Sequence, residues 1–271
     1  MICKYRFLFP IAGWLVCSFA NGQLADDFNA PRSNCCLVNT AKSLADQLQD
    51  WNQLSRYHEA NLELKKQPGN PNRVVFMGDS ITDFWKLDEY FPGKAYVNRG
   101  ISGQTTSQML VRMYPDVIDL KPAAIVLLAG INDVSRNTGP STAEMIEQNI
   151  MAMTDLAQHH GIKVILCSLL PISDYLFLRQ QSAPAQNAPG GPVPRIRMTE
   201  GHPPGDILKL NGWMKGYTAR VNAIYADYFE AFVDEKGWLK DGYSADGLHP
   251  NAEGYKIMAP IALAAIQKAL Q

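Results

Sequence analysis

Four short blocks in this chain carry the residue types that hydrolytic chemistry needs. They are Gly78-Asp79-Ser80-Ile81-Thr82, Asn98-Arg99-Gly100-Ile101-Ser102-Gly103, Gly130-Ile131-Asn132-Asp133 and Asp246-Gly247-Leu248-His249-Pro250. Acyl transfer requires a nucleophile, a base to take its proton, a group to orient that base, and donors for the oxyanion. Ser80 is the candidate nucleophile, His249 the base and Asp246 the orienting carboxylate. The Gly103 N–H, the Asn132 side-chain amide and the Ser80 N–H are the candidate oxyanion donors. Each residue taken alone has a plainer reading. Ser80 can cap a helix, Gly103 and Asn132 can serve turns, and Asp246 and His249 can hydrogen-bond to a loop backbone. All four blocks in one chain, each at the end of an apolar run or in a loop before a helix, favour the catalytic reading.

The remaining polar residues compete poorly for these roles. Of five histidines, His58 and the His159-His160 pair fall on helical segments, and His202 lies in a proline-rich stretch. Only His249 has a carboxylate three residues before it, and Gly247 and Pro250 beside it predict a tight turn. No second His or Cys stands at metal-ligand spacing from it. The Gly-x-Ser-x-Gly elbow of the larger lipase fold is absent around Ser80. Gly100 reads as structural, and Asp79 and Asp133 as braces for their loops.

The elements that must position these blocks alternate along the chain. Residues 40–66 predict an amphipathic helix carrying Leu44, Leu48, Trp51 and Leu54 at helical spacing. Apolar runs at 73–77, 95–98, 123–129 and 163–169 predict strands, with a short fifth at 231–233. Uninterrupted apolar strands point to a parallel sheet covered on both faces. Ser141-Thr142-Ala143-Glu144 predicts a capped helix with a buried stripe of Ile146, Ile150, Met153 and Ala157, closed by Gly161. Residues 207–226 predict another helix, with Leu210, Met214, Tyr217, Val221 and Ile224 along one side. Asn251 predicts the cap of a last helix running to Leu270. Ligands of such sheets bind beyond the carboxyl ends of the strands, where the first three blocks lie.

The stretch 171–206 holds seven prolines and four glycines and shows little periodicity. It follows the fourth predicted strand at the catalytic edge. It reads either as a wall of a substrate cleft or as a surface insertion.

Bulk properties set the limits. The chain has 271 residues, 46% hydrophobic and 19% charged, enough for one large catalytic domain. A formal net charge of -1 gives no basis for a nucleic-acid partner. Lys4 and Arg6, the apolar run 7–20 and the small residues Ser18 and Ala20 predict an export signal over 1–22, with an uncleaved anchor as the alternative. No later apolar run is long enough to span a membrane. The predicted organisation is therefore a signal at 1–22, a helical lead-in at 23–71 and a catalytic domain at 72–271, in a secreted or periplasmic protein. Cys17 is a poor lipoprotein acceptor, because Trp14-Leu15-Val16 lacks a small residue before it. Cys35 and Cys36 are poorly placed to bridge each other. Cys167 reads as a buried free thiol.

The four blocks, in this order over residues 72–268, resemble those of the SGNH hydrolases, also called GDSL esterases and lipases. The first block reads Gly-Asp-Ser-Ile where the family name spells Gly-Asp-Ser-Leu. The resemblance implies Ser80 as nucleophile, Asp246 and His249 as the rest of the triad, and Ser80, Gly103 and Asn132 as the oxyanion hole. It implies a three-layer α/β/α sandwich around a five-stranded parallel sheet of flavodoxin-like type, and no metal or organic cofactor. It also implies a carboxylic-ester substrate, either a small molecule or a polysaccharide ester. Short-chain or acetyl esters come first, with a lysophospholipase-like lipase or an acyltransferase as alternatives. A non-catalytic carbohydrate-binding protein on the same fold is a further alternative, disfavoured by the intact Ser80, Asn132 and His249. Oligomeric state is not legible.

Overall fold

A computed structural model describes residues 45, 48–182 and 197–271. The chain divides after Gln49; before that point residues 45, 48 and 49 are described, and they are helical. From Asp50 onward five strands form one sheet: β1 (Val74–Gly78), β2 (Tyr96–Gly100), β3 (Ala124–Leu128), β4 (Lys163–Cys167) and β5 (Ile224–Ala226). Their spatial order is β2-β1-β3-β4-β5, and every neighbouring pair is parallel. The helices are α1 (His58–Lys66), α2 (Ser80–Asp83), α3 (Leu87–Tyr90), α4 (Thr106–Val111), α5 (Met113–Asp116), α6 (Ile131–Val134), α7 (Ala143–His159), α8 (Tyr175–Ser182), α9 (Met198–Gly201), α10 (Pro204–Arg220), α11 (Tyr228–Phe232) and α12 (Ala252–Ala269).

Helices cover both faces of the sheet, and its central strands are buried apart from Lys163 at the start of β4. β1 and β3 have no exposed residue, as continuous apolar sequence requires of a doubly covered parallel sheet. α12 packs against β3, β4 and β5; α7 lies on β4 and against α4 and α10. The result is the three-layer α/β/α sandwich expected from the sequence. α7 buries Ile146, Ile150, Met153 and Ala157, and Gly161 follows it at φ +72°. Cys167 is a buried free thiol at the end of β4, its pKa pushed up to about 12 by burial.

Strand register decides where the site forms. Gly78, the last residue of β1, sits opposite Gly100 of β2 and Leu128 of β3. Three loops therefore leave the sheet at one level. The chain order reverses between β1 and β3, which opens the crevice where ligands of such sheets bind. α2 then lies directly on the end of β2. A Cβ at Gly100 would stand 2.1 Å from the Asp83 backbone nitrogen, so only glycine allows that approach.

Four sequence expectations are corrected. The fifth strand is β5, not 231–233. α10 stops at Arg220, Asn222 turns the chain at φ +53°, and Ile224–Ala226 pairs with β4. Residues 231–232 instead end α11, whose start is capped by the Asp227 carboxylate, and Val233 makes only a bridge to Leu239. The lead-in helix expected over 40–66 is interrupted between residue 49 and His58. Gln53 at φ +55° and a 3-10 turn at Leu54–Tyr57 precede α1, and Trp51 and Leu54 are exposed rather than part of a buried stripe; Leu44 lies outside the described residues. The cap of α7 is Thr142, which accepts from the Met145 N–H, rather than Ser141. The 171–206 stretch contains α8 and α9, which its composition concealed, while 183–196 lie outside the described residues, as do the predicted export signal and Cys35 and Cys36.

Gly100→Ala should destabilise the fold by about 1–3 kcal/mol, the range for overpacking a site that cannot yield. A urea midpoint equal to that of the unsubstituted protein would show that α2 can move off β2 freely.

Candidate active site

Ser80 is the first residue of α2, where a backbone N–H has no intrahelical acceptor. Asp79 caps this helix by accepting from the Ile81 N–H at 3.0 Å. The other end is held by Asn98 of β2, whose amide donates to the carbonyls of Thr82 (2.6 Å) and Trp85 (2.9 Å). α12 reaches the same turn through the Tyr255 hydroxyl, which donates to the Ile81 carbonyl at 2.8 Å. The nucleophile candidate thus sits on a turn tied to the sheet and to α12.

His249 arrives from the loop before α12. Its Nε2 is 2.8 Å from the Ser80 Oγ, and its Nδ1 is 2.6 Å from the Asp246 Oδ2. With Nδ1–H donating to the carboxylate, Nε2 is left as the acceptor for the serine proton. The second carboxylate oxygen of Asp246 accepts from the backbone N–H groups of Leu248 (2.9 Å) and His249 (2.8 Å) and from the Ser244 hydroxyl (3.0 Å). Burial, the largest single influence, pushes the Asp246 carboxyl up. The bonds from the His249 side chain and the backbone together outweigh it and hold the group well below the usual carboxylate range. Gly247 makes this turn possible. It has φ +88°, and a Cβ there would lie 2.1 Å from the Ser173 carbonyl oxygen, while its own carbonyl accepts from the Ser173 N–H at 2.9 Å.

The second and third blocks meet beside α2. The Asn132 Nδ2 donates to the Gln104 carbonyl at 3.0 Å, tying α6 to the loop after β2. The second N–H of that amide has no acceptor among the described residues. Gly103 adopts φ +80° and is exposed. Asp133 accepts from the N–H (2.9 Å) and hydroxyl (2.6 Å) of Thr106, the first residue of α4. Asp79 and Asp133 are therefore braces, as the sequence suggested, and Gly100 is structural.

Several residues around this site carried no sequence signal of their own. Phe84, half exposed, lies with its ring centroid 5.4 Å from that of His249. His202, after α9, is half-buried and feels the His249 charge; burial first, then that charge, lowers its pKa, against a bond to the Met198 carbonyl. Asp174 accepts from the N–H (3.1 Å) and hydroxyl (2.6 Å) of Thr199. Both described ends of the 171–206 stretch are thereby pinned together near the imidazole.

Residues 76–257 match the profile of the GDSL-like lipase/acylhydrolase family. The chain belongs to that family. Members of the family are ester hydrolases, and the match spans all four blocks. The chain is similar to a GDSL-like lipase of Bacteroides thetaiotaomicron of solved structure, with 36% identity, TM-score 0.68, and coverage of 81% of this chain and 99% of the other. It is 33% identical to the uncharacterized lipoprotein YqeF of Bacillus subtilis over 36% of this chain and 49% of the relative. It is 32% identical to the acetylxylan esterase of Geobacillus stearothermophilus over 25% of this chain and 42% of the relative. The chain thus spans about half the length of these two curated relatives.

Asp79 gives a pH prediction. Burial raises its pKa to about 7, beyond what the Ile81 bond and the nearby His249 charge offset, and Asp133 adds to the rise. Its Oδ2 has no hydrogen-bond partner among the described residues. An unfolded aspartate releases its proton near pH ~3.9, so between roughly pH 4 and pH 7 the folded state holds a proton that the unfolded state has lost. Stability from this group is fully present below that window and is lost as pH rises through it. Asp79→Asn has no such ionisation. Its urea midpoint relative to wild type should increase from pH 5 to pH 8, an interval in which Asp246, held below the usual carboxylate range, stays ionised. A difference that is the same at both pH values would contradict a raised Asp79.

Proposed function

We propose that the protein is a serine esterase that cleaves short-chain carboxylic esters, acetyl groups on carbohydrates among them, through an acyl-enzyme on Ser80. The observation that carries this reading is the unbroken chain of hydrogen bonds from Ser80 Oγ through His249 to Asp246, at 2.8 and 2.6 Å. In this mechanism His249 Nε2 takes the Ser80 proton as Oγ attacks the ester carbonyl carbon. The oxyanion is held by the N–H groups of Ser80 and Gly103 and by the free N–H of the Asn132 amide. Asp246 keeps the imidazole in the tautomer that accepts at Nε2 and stabilises the imidazolium. The alcohol leaves with the proton from Nε2. A water then gives a proton to the same nitrogen as it attacks the acyl carbon; the acyl–Oγ bond breaks, Nε2 returns the proton to Ser80 Oγ, and the carboxylic acid leaves.

Similarity to an acetylxylan esterase supports a small acyl group on a carbohydrate alcohol. Among the described residues no helix is long and apolar enough to cross a membrane. Similarity to a lipoprotein, together with the N-terminal signal pattern over 1–22, supports export. Phe84 and the pinned ends of the 171–206 stretch form the wall against which the acyl or alcohol group packs.

Two measurements test the reading. On a series of nitrophenyl esters and on acetylated xylan, turnover should be highest with acetate and butyrate and fall with longer chains. Ser80→Ala should lose at least ~10⁴-fold in turnover with the fold intact, and Asp246→Asn on the order of 10³- to 10⁴-fold. Octanoate preferred over acetate would overturn the substrate class. Near-normal turnover in folded Ser80→Ala would overturn the mechanism.

A further inference from the structure

We infer that Asn137 is a positioning residue that sets the polarity of the oxyanion hole; the inference rests on the roles proposed above for Asn132 and Gly103. After α6 the chain turns back on itself. Arg136 adopts φ +61°, and the Asn137 N–H donates to the Asn132 carbonyl at 3.0 Å. This returns the Asn137 side chain to the amide it has just left. Its Nδ2 donates to Asn132 Oδ1 at 2.9 Å and to the Gly103 carbonyl at 3.2 Å. Its Oδ1 accepts from the Ser135 hydroxyl at 2.9 Å. One side chain therefore engages both loop residues assigned as oxyanion donors besides Ser80.

The chemistry of an amide gives this contact its consequence. A carboxamide is nearly symmetric in shape but not in polarity: one end donates and the other accepts. If the Asn132 amide turned over, its carbonyl oxygen would replace its N–H at the developing oxyanion, and attraction would become repulsion. Two contacts prevent this. Gln104 offers a carbonyl that only Nδ2 can satisfy, and Asn137 offers an N–H that only Oδ1 can satisfy. The Gly103 carbonyl, which can only accept, in turn favours the orientation of Asn137 that presents its Nδ2. The second Asn137 bond fixes the peptide that follows Gly103. Such a donor pre-aimed at the charge that develops in the transition state acts on turnover rather than on ground-state binding.

The test is a double-mutant cycle on nitrophenyl acetate with Asn137→Ala, Asn132→Ala and the double variant, each checked for folding by circular dichroism and thermal melting. Asn137 is an exposed residue, so its truncation should leave the fold in place. Asn132→Ala should lose about 100- to 1,000-fold in kcat, as for loss of a direct donor. Asn137→Ala should lose on the order of 10-fold in kcat with KM within about 2-fold, since a displaced donor retains part of its effect. The double variant should fall within about 3-fold of Asn132→Ala alone, because the amide that Asn137 orients is gone and only its bond to the Gly103 carbonyl remains. Asn137→Asp keeps the shape but turns a donor into an acceptor facing Asn132 Oδ1 and the Gly103 carbonyl, and should be worse than alanine. The inference is overturned if Asn137→Ala keeps full kcat, if its loss multiplies with that of Asn132→Ala, if only KM changes, or if neither Asn137 variant folds. An Asn132→Ala variant with unchanged kcat would remove the oxyanion assignment itself, whereas a crippled Asn132→Ala beside an unaffected Asn137→Ala removes only this inference.

Discussion

Arg112 is fully buried, and its guanidinium donates to the carbonyls of Gly78 (3.1 Å) and Arg99 (2.7 Å), to the Gln104 side-chain oxygen (2.6 Å) and to Asp116 (3.0 Å). A cation removed from water is costly unless it is paired and hydrogen-bonded; here Asp116 pairs it, and the other three contacts bind it to the loops beneath Ser80. Gly78 ends β1 just before the Asp79-Ser80 turn. Arg99 lies one residue from the end of β2. Gln104 leads into α4, and its carbonyl accepts from Asn132. The loops after β1, β2 and β3 are thus coupled through one charge beneath them. The same network continues outward: Arg99 donates to Asn61 of α1, Asn61 donates to Asp116, and the Gln104 amide donates to the Asn52 carbonyl. The segment before the sheet is therefore part of the support of the site.

Three buried or half-buried aspartates near Ser80 have different tasks because their surroundings differ. Asp246 receives an imidazole and several N–H and O–H donors, and its negative charge is stabilised. Asp133 is buried against Thr106; burial raises its pKa in spite of the two Thr106 bonds, and it fastens α6 to α4. Asp79 has one oxygen without a hydrogen-bond partner among the described residues and caps the turn that carries Ser80. Of the three, Asp246 is the one that faces an imidazole nitrogen, Nδ1 of His249.

What could be read from the sequence was whatever a local pattern announces. The β1 and β3 runs are continuously apolar and end at glycines, so both the strands and the blocks at their ends were legible. Asp246-Gly247-Leu248-His249 was legible because a carboxylate, a histidine and a glycine three or fewer residues apart can meet in a turn without help from the rest of the fold. β5 was missed because Ile224 continues the apolar spacing of α10, and only the left-handed Asn222 separates them. Arg112 was missed because an arginine between two short helices reads as a solvated charge; its burial depends on carbonyls of Gly78 and Arg99 that only the packed sheet brings to it. Asn137 was missed for the same reason, since its partners Gly103 and Asn132 come from two other loops. Phe84 and His202 became neighbours of His249 only when the sheet brought their loops to one edge.

The account stands on Ser80 being an activated nucleophile, and covalent capture tests that most directly. A fluorophosphonate should add one phosphonyl group per chain, and mass spectrometry of the digested protein should find it on the peptide containing Ser80. Labelling should vanish in His249→Ala, because the hydroxyl then has no base. Labelling at another residue, none in the folded enzyme, or equal labelling without His249 would contradict the account.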